Sequence, residues 1–150
     1  SKFKHISMVE GRFVQATAIY RKQLIDWSIK FYHEIESFPQ KKEDAIQRLI
    51  DTLIDTMSLF CWVKAERPVS MAAIIRRTAH IAIVGMLYTP HEERGNGYAL
   101  HCVQKLSEYI FTQGYSRCGL FTNKDYPVSN KIYQKIGYER VCDFLDVEFS

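Results

Sequence analysis

Arg94, Gly95 and Gly97 lie close together in the segment Arg-Gly-Asn-Gly-Tyr-Ala at 94–99. Because glycine has no Cβ, a turn built from it can take positive φ and bring backbone amides close to a ligand. The segment separates an apolar run at 84–88 from apolar residues spaced three and four apart, a pattern typical of a strand followed by a helix. Unpaired amides and the helix dipole attract anions to a helix N-terminus, and Arg94 adds a permanent cation. This segment therefore predicts a site for a phosphate-bearing cofactor.

Two common phosphate motifs do not fit these glycines. The nucleoside-triphosphate loop GxxxxGK[ST] is excluded because no Lys-Ser or Lys-Thr follows them. The dinucleotide fingerprint GxGxxG fails at its third position, which is Leu100, and the upstream sequence lacks the strand-helix-strand units of that fold. Taken alone, the segment is equally compatible with an ordinary loop.

A second motif, further along the chain, helps to decide which kind of site the glycine segment forms. A short apolar strand, Cys118–Thr122, comes before residues 127–138, which read Pro-Val-Ser-Asn-Lys-Ile-Tyr-Gln-Lys-Ile-Gly-Tyr. Together, TP-x-x-x-RG-x-GYA and SN-x-x-Y-x-x-x-GY resemble the motifs of the GNAT superfamily of N-acetyltransferases. The resemblance is strong from about Pro68 to the C-terminus and weaker before Ser58.

Three positions depart from the family pattern. Glu92 stands where the phosphate turn often carries Gln or Arg, but the main donors there are backbone amides, which this change leaves in place. Asn123 and Tyr126 stand where relatives commonly have Asp and Asn. These two changes affect the positioning of the loop before Pro127.

The resemblance implies a GNAT-like α/β fold, in which a mixed, largely antiparallel sheet splays apart at a central strand and is flanked by helices. It also implies one acetyltransferase domain over residues 1–150. The activity would be transfer of an acetyl group from acetyl-CoA to a primary amine, by direct attack in a ternary complex. The acceptor would be a small-molecule or peptide amine.

The resemblance assigns the cofactor to two neighbouring segments. The pyrophosphate of coenzyme A would lie on the backbone amides of Arg94, Gly95, Asn96, Gly97, Tyr98 and Ala99. The pantetheine arm would pair, like an added strand, with the edge formed by Met86, Leu87, Tyr88 and Thr89. A free amide near Leu87 could polarise the thioester carbonyl and hold its developing negative charge. A bulge is predicted at Val84–Gly85, because glycine inside an apolar strand often marks one.

Tyr133 is the expected general acid. The resemblance puts its hydroxyl beside the coenzyme sulfur, and a phenol pKa of about 10 is close enough to a thiol pKa of about 8.5 for proton donation to the leaving thiolate. Asn130, one helical turn earlier, would bind the pantetheine arm, and Lys131 or Lys135 could meet the 3′-phosphate. Without the motif, Tyr133 would be interpreted as a core tyrosine, and Asn130 is also compatible with a helix cap or turn residue.

The general base stays open. His33, Glu34 and Glu36 are candidates, because the end of the first helix usually borders the acceptor pocket in this family. A chain of water molecules is a further alternative. Each of the three side chains is also compatible with a solvent-exposed helix face.

The composition fits one compact domain. At 150 residues and 47% hydrophobic, the chain can bury one sizeable core. Its net charge of +3 is scattered along the chain, so we expect no nucleic-acid partner. No apolar run reaches spanning length and no signal sequence opens the chain, so we expect no membrane partner and a cytoplasmic location. We expect a monomer or homodimer, with Trp27 or Tyr32 as exposed aromatic residues of a dimer face.

Spacing excludes two further chemistries. The histidines include no HExxH pair, so no metal site is predicted, and no GxSxG nucleophile elbow occurs. The cysteines stand singly and are expected as buried, reduced thiols, at Cys61, Cys102, Cys118 and Cys142.

Apolar periodicity and turn residues predict the remaining elements. In chain order these are a strand at 12–18, helices at 21–36 and 41–57, a hairpin of strands at 59–64 and 69–76, a strand at 81–89, and a last strand through Val141, Phe144 and Val147. The second helix carries an apolar stripe that ends at Met57, and the hairpin turn falls at 65–68.

Two other functions are open from the sequence. The chain could be an acyl-CoA-binding or regulatory module of the same fold that has lost turnover. It could also be a basic protein-interaction domain in which the glycine segment is only a turn.

Overall fold

The structure is a computed structural model that describes residues 9–34, 42–121, 139–140 and 146–149. The described strands are β1 (Arg12–Gln15), β2 (Leu59–Lys64), β3 (Arg67–Arg77), β4 (Ile81–Tyr88), β5 (Arg117–Phe121), β6 (Glu139–Arg140) and β7 (Asp146–Phe149). The described helices are α1 (Arg21–Glu34), α2 (Glu43–Asp55) and α3 (Tyr98–Thr112), with short 3₁₀ turns at Ala18–Tyr20 and His91–Glu93.

The strands form one sheet in the order β1-β2-β3-β4-β5-β7-β6. Neighbouring strands are antiparallel except β4 and β5, which run parallel. Antiparallel neighbours can be joined by short turns, whereas a parallel pair needs a crossover, and α3 supplies it. The predicted mixed, largely antiparallel sheet flanked by helices is confirmed.

Helices cover both faces of the sheet because each carries an apolar stripe. On one face, Val103, Leu106 and Ile110 of α3 are fully buried against the strands. On the other face, Leu24 of α1 and Ile50 of α2 are fully buried. Burial of each such side chain contributes about 1.5–3 kcal/mol to folding. The sheet therefore separates two hydrophobic cores. The side of the sheet that α3 covers is called here the α3 face, and the side that α1 and α2 cover is called the α1–α2 face.

The end of α2 differs from the prediction. Met57 is not part of the apolar stripe, because it has φ 55° and is 57% exposed. The Met57 amide donates to the Ile54 carbonyl oxygen at 3.1 Å, and the Ser58 amide donates to that of Leu53 at 2.8 Å. These two bonds form a Schellman motif, which requires a left-handed residue after the helix. Met57 therefore ends the helix and points to solvent.

The predicted hairpin between β2 and β3 is confirmed, with a turn of only two residues. Ala65 and Glu66 have φ 50° and 64°. Positive φ at both central residues defines a type I′ turn, whose twist matches that of the flanking strands.

β4 contains a bulge in its second half. Met71 of β3 pairs with Tyr88, and Ala73 pairs with Gly85, so β4 has one more residue than β3 between these pairs. Met86 takes the left-handed conformation there, with φ 51°. Positive φ in a non-glycine residue costs about 1–3 kcal/mol, so the surrounding sheet must stabilise this geometry.

The position predicted for this bulge, Val84–Gly85, is wrong, because both residues still pair with β3 and the extra residue follows them. The glycine at position 85 is explained by packing instead of by the bulge. A Cβ at that position would lie 2.5 Å from Ile75 Cδ1 and 3.1–3.2 Å from its Cγ atoms, so glycine lets the isoleucine pack directly against the backbone.

The bulge changes which core each side chain of β4 meets. Before it, Val84 is buried on the α3 face. After it, Leu87 packs on that face, while Met86 and Tyr88 are buried on the α1–α2 face. The alternation of a regular strand is shifted by one residue at this point.

β4 and β5 separate halfway along β4. Their pairing runs from Ile81 and Arg117 to Val84 and Leu120. β4 continues through Tyr88, and this last part has no partner strand on the β5 side among the described residues. The splay at a central strand is therefore confirmed, and it leaves an open edge at Gly85–Tyr88.

The C-terminal strand and one surface expectation need correction. Two short strands, β6 and β7, pair with each other where a single strand was predicted. Val147 lies in β7, whereas Val141 and Phe144 lie outside the described residues. Trp27 is only 5% exposed, so it cannot belong to a dimer face.

The cysteine prediction is confirmed for three positions. Cys61, Cys102 and Cys118 are buried, and Cys142 lies outside the described residues. No group of His, Cys, Asp and Glu side chains within the described ranges could hold a metal ion. Across the same part of the chain, none of the helices has the length and apolar character needed to cross a membrane.

Candidate active site at the end of β4

The turn between β4 and α3 is held by its own hydrogen bonds. The Glu93 amide donates to the Pro90 carbonyl oxygen at 2.9 Å, and the Arg94 amide donates to that of His91 at 3.3 Å. The Asn96 side-chain amide donates to the Glu93 carbonyl oxygen at 3.0 Å. These bonds hold the segment before the glycines in one conformation.

The glycines then open a run of unpaired amides. Gly95 and Gly97 have φ 86° and 83°, as expected for this turn, and Gly97 is the N-cap of α3 without a side-chain cap. The amides of residues 95–100 have no hydrogen-bond acceptor among the described residues. The dipole of the 15-residue helix adds positive potential at this end. The arrangement suits an anion with several oxygen atoms.

A cavity of about 290 Å³ lies at these amides. Its lining residues come from the end of β4, the turn and the first turn of α3: Thr89, Glu93, Arg94, Gly95, Gly97, Tyr98, Ala99 and Leu100. Five of the six turn residues that the family resemblance assigned to the pyrophosphate are among them, and Asn96 is not.

The Arg94 side chain has partners that the sequence did not reveal. Its Nε donates to the Thr89 carbonyl oxygen at 2.8 Å, and its Nη2 donates to both carboxylate oxygens of Glu34 at 3.1 Å. The guanidinium also lies 5.7 Å from the centre of the Tyr88 ring. Arg94 therefore ties the turn to the C-terminal end of α1, in addition to lining the cavity.

Two further cations reach the turn from the β2–β3 hairpin, and sequence reasoning missed both. Arg67 forms a 2.7 Å ion pair with Glu93, and Lys64 donates to the Tyr98 hydroxyl at 3.2 Å. This hydroxyl and the negative charge of Glu10 raise the pKa of Lys64. Because β2 runs parallel to β4 with β3 between them, the hairpin lies at the edge where β4 ends. This alignment of β2 with β4 is the feature from which the positions of Lys64 and Arg67 near the turn could have been predicted.

His101, in the first turn of α3, forms hydrogen bonds that stabilise the glycine turn. The Gly97 carbonyl oxygen can only accept hydrogen bonds, so His101 Nδ1 must donate to it, at 2.8 Å, beside the His101 amide at 3.1 Å. The imidazole is buried and packs 5.6 Å from the Trp62 ring, and its Nε2 has no partner among the described residues. Its spacing of four residues from Gly97 is the local signal that could have indicated this contact.

The open edge of β4 is lined on the α1–α2 face by Tyr88. Its ring lies 5.9 Å from Trp27. Burial raises the pKa of the Tyr88 hydroxyl, the charge of Glu34 acts in the same direction, and Arg94 opposes it. Tyr88 is therefore a neutral hydrogen-bonding group at this edge near neutral pH.

Several predicted site residues cannot be placed. Tyr133, Asn130, Lys131, Lys135 and Glu36 lie outside the described residues. Of the three side chains considered as general base, His33 and Glu34 are both exposed at the end of α1.

Comparison with a family model identifies the class of protein. The model of the acetyltransferase (GNAT) family matches residues 19–138. The chain therefore belongs to the GNAT acetyltransferase family. The comparison with curated proteins gives no match.

Solved structures share the fold at low sequence identity. The PaiA N-acetyltransferase of Thermoplasma acidophilum, in complex with coenzyme A, has a TM-score of 0.72 and 11% identity, over 93% of this chain and 98% of that one. The ribosomal-protein-alanine N-acetyltransferase of Brucella melitensis has a TM-score of 0.73 and 11% identity, over 91% and 96%. A predicted acetyltransferase of Clostridium acetobutylicum with acetyl-CoA has a TM-score of 0.70 and 15% identity, over 89% and 93%.

Proposed function

We propose that this chain is an N-acetyltransferase that transfers an acetyl group from acetyl-CoA to a primary amine. The observation that carries the proposal is the run of unpaired amides at 95–100, beside the open edge of β4. A diphosphate suits these amides, and the amide-bearing pantetheine arm suits an unpaired strand edge. Family membership and the complexes of similar structures with coenzyme A and acetyl-CoA support the same cofactor.

In the proposed reaction, the amine nitrogen attacks the acetyl carbonyl carbon within a ternary complex. The C–N bond forms, the C–S bond breaks, and coenzyme A leaves as a thiolate that takes up a proton. A backbone amide near Leu87, next to the bulge at Met86, would stabilise the oxyanion that develops on the carbonyl oxygen. We assign the proton donor to Tyr133 and binding of the pantetheine arm to Asn130, on the strength of their motif.

The attacking amine must also lose a proton. Both carboxylate oxygens of Glu34 accept hydrogen bonds from Arg94. This engagement favours His33 or a water molecule as the proton acceptor over Glu34.

The acceptor class is a primary amine on a small molecule or a peptide. Among the similar structures, the ribosomal-protein-alanine N-acetyltransferase supports the peptide alternative. We expect the amine to approach beside Tyr88, at the end of α1 where His33 and Glu34 are exposed, because the end of this helix usually borders the acceptor pocket in the family.

The test is an acetylation assay over a panel of amines that measures release of the free coenzyme thiol, with wild type and Tyr133→Phe side by side. Loss of the general acid should lower kcat by about 10²–10⁴-fold. Thermal unfolding with coenzyme A serves as the binding measurement, since saturation at a hundred times Kd adds about 2.7 kcal/mol of stability. This stabilisation should be the same in both proteins.

Two outcomes would contradict the proposal in different ways. Coenzyme binding without turnover of any amine would support the alternative of a non-catalytic acyl-CoA-binding module. No thermal shift at millimolar coenzyme A would exclude both the enzyme and the module.

A further inference from the structure

Two glycines flank the point where β4 and β5 separate, called the fork here. Gly85 directly follows Val84, the last β4 residue paired with β5, and Gly119 directly precedes its partner Leu120. Val84 and Leu120 are buried on the α3 face, so the two glycines lie on the α1–α2 face. On that face, neither glycine presents a side chain at the fork.

Two isoleucines occupy the space that the glycines leave. A Cβ on Gly85 would lie 2.5 Å from Ile75 Cδ1, and a Cβ on Gly119 would lie 2.5 Å from Ile83 Cδ1. Ile75 is 39% exposed and Ile83 is partly buried, although both lie on central strands of the sheet. Neither belongs to the two buried core clusters. The fork is therefore bounded on this face by two aliphatic side chains that solvent can reach.

The position of the anion site sets the direction of the acyl group. A diphosphate on the amides of residues 95–100 would lie past the C-terminal end of β4. An arm laid along the open edge of β4 from there passes Tyr88 first, then Met86, and reaches Gly85 last. The acyl group at the far end of the arm therefore meets the fork.

We propose that Ile83 and Ile75 limit the length of the acyl chain that this protein transfers. The inference rests on the proposed function and adds the specificity of the same site. An acetyl group ends before the two side chains, whereas each further methylene extends toward their Cδ1 atoms. The same C–N bond forms and the same C–S bond breaks with a longer acyl group, so only the fit differs.

The test compares acetyl-CoA with butyryl-CoA in wild type, Ile83→Ala and Ile75→Ala, using one amine that wild type accepts. The ratio of kcat/KM for butyryl over acetyl transfer should rise at least tenfold, since one methylene in an apolar pocket changes discrimination by about 10–200-fold. Ile54→Ala is the matched control, because it removes the same atoms from a partly buried position on α2. It should leave the ratio unchanged.

Two further variants keep the test decisive if Ile83→Ala does not fold. Ile83→Val removes one methyl group and should raise the ratio to a smaller extent. Gly119→Ala combined with Ile83→Ala returns a methyl group to the emptied space and should lower the ratio again. Thermal shifts with the two acyl-CoA compounds measure the same preference without turnover.

An unchanged ratio in folded Ile83→Val and Ile75→Ala would overturn the inference, while acetyl transfer by wild type would leave the proposed function standing. Absence of both acetyl transfer and coenzyme binding in wild type would overturn the two together.

Discussion

Among single residues, the glycines at the two ends of α3 offer a matched pair of substitution sites. Comparing them distinguishes the effect of backbone strain from the effect on ligand binding. Gly97 and Gly114 have similar φ values of 83° and 95°. A Cβ on Gly97 would make ordinary contacts, 3.4 Å from Val9 Cγ1 and 3.8 Å from His101 Nδ1, and a Cβ on Gly114 would meet no atom within 4 Å. Substitution at either position therefore strains mainly the backbone, and only Gly97 lies at the anion site.

Gly97→Ala and Gly114→Ala should each lower the free energy of unfolding by about 1–3 kcal/mol, the strain of a left-handed alanine. Coenzyme A affinity should fall by about tenfold or more in Gly97→Ala, because a shift of this residue moves the amides on both sides of it. Gly114→Ala should retain wild-type affinity. Denaturant unfolding and calorimetric titration measure the two effects, and equal affinities in the two variants would contradict the role of the turn.

Arg94 shows which features of the site a local motif can predict and which it cannot. The motif correctly predicted a cation and left-handed glycines at the turn, because turn chemistry depends on adjacent residues. The partner of that cation, Glu34, lies 60 residues away in sequence. No short-range pattern encodes such a contact, so the guanidinium geometry could come only from the tertiary fold.

For the secondary-structure elements, the β2–β3 turn offers a clear test. Ala65 and Glu66 both occupy positions that favour Asn and Gly, respectively, in a type I′ turn. The double variant Ala65→Asn/Glu66→Gly should raise the free energy of unfolding by about 1 kcal/mol, because it removes part of the left-handed strain. The thermal midpoint should rise by about 2–4 °C. Scanning calorimetry measures the midpoint.

Lys64 and Arg67 flank this turn and should keep their contacts with Tyr98 and Glu93. Acetyl transfer by the double variant should therefore equal that of wild type. A lower midpoint would show that the type I′ assignment is wrong.

The ion pair between Arg21 of α1 and Asp51 of α2 predicts that the stability of the protein depends on pH. A hydrogen bond from Arg21 lowers the pKa of Asp51 below its usual range. A depressed carboxyl pKa in the folded state stabilises the protein above the unfolded pKa, which is about 3.9, and this contribution is lost as the pH falls through the folded value.

The variant Asp51→Asn should therefore be less stable than wild type near neutral pH, and the difference should shrink below about pH 4. Thermal midpoints measured from neutral to acidic pH give the comparison. Asp51→Asn in an Arg21→Gln background is the control, because the hydrogen-bond donor is already absent there, and it should change the pH profile of the Arg21→Gln protein little. A difference between wild type and Asp51→Asn that is independent of pH would contradict the assignment.

Element boundaries show where sequence patterns stop being sufficient. The apolar stripe of α2 correctly predicted a helix, because its burial follows from a spacing of three and four residues. Met57 fits the same spacing, yet it ends the helix through backbone bonds at Ile54 and Leu53 that hydrophobicity does not encode. The β4 bulge is similar. Glycine marked the correct strand, but the extra residue follows Gly85, and the glycine itself makes room for Ile75.

Over the whole molecule, the two cores protect the cysteines from reaction. Burial raises the pKa of the Cys61 thiol to about 12 and raises that of Cys102 well above its usual value. In a Cys142→Ser variant, the remaining thiols should react with a thiol reagent only as fast as the protein unfolds, because the thiolate is the reactive form. Added denaturant should expose all three. Rapid labelling of the folded protein would contradict the burial of these residues.

The assembly of the site is a property of the complete sheet. The order of strands brings the β2–β3 hairpin, the end of β4 and the start of α3 to one edge, so Lys64, Arg67 and Arg94 gather around a single turn. The family motif predicted the turn and the strand beside it, because both lie in one continuous segment. It did not predict the hairpin cations, whose proximity depends on the parallel alignment of β2 and β4.

The bulge at Met86 makes the length of β4 a determinant of folding. Deletion of Met86 would shorten the strand by one position and, if pairing with β3 were kept on both sides, would restore regular alternation. Leu87 and Tyr88 would then stay in the cores that they occupy now, whereas loss of a residue from the regularly paired part, such as Ile83, would move its neighbours to the opposite side of the sheet. A screen of single-codon deletions along this gene should therefore find β4 more tolerant at codon 86 than at codons 82–84, although the lost side chains are all apolar.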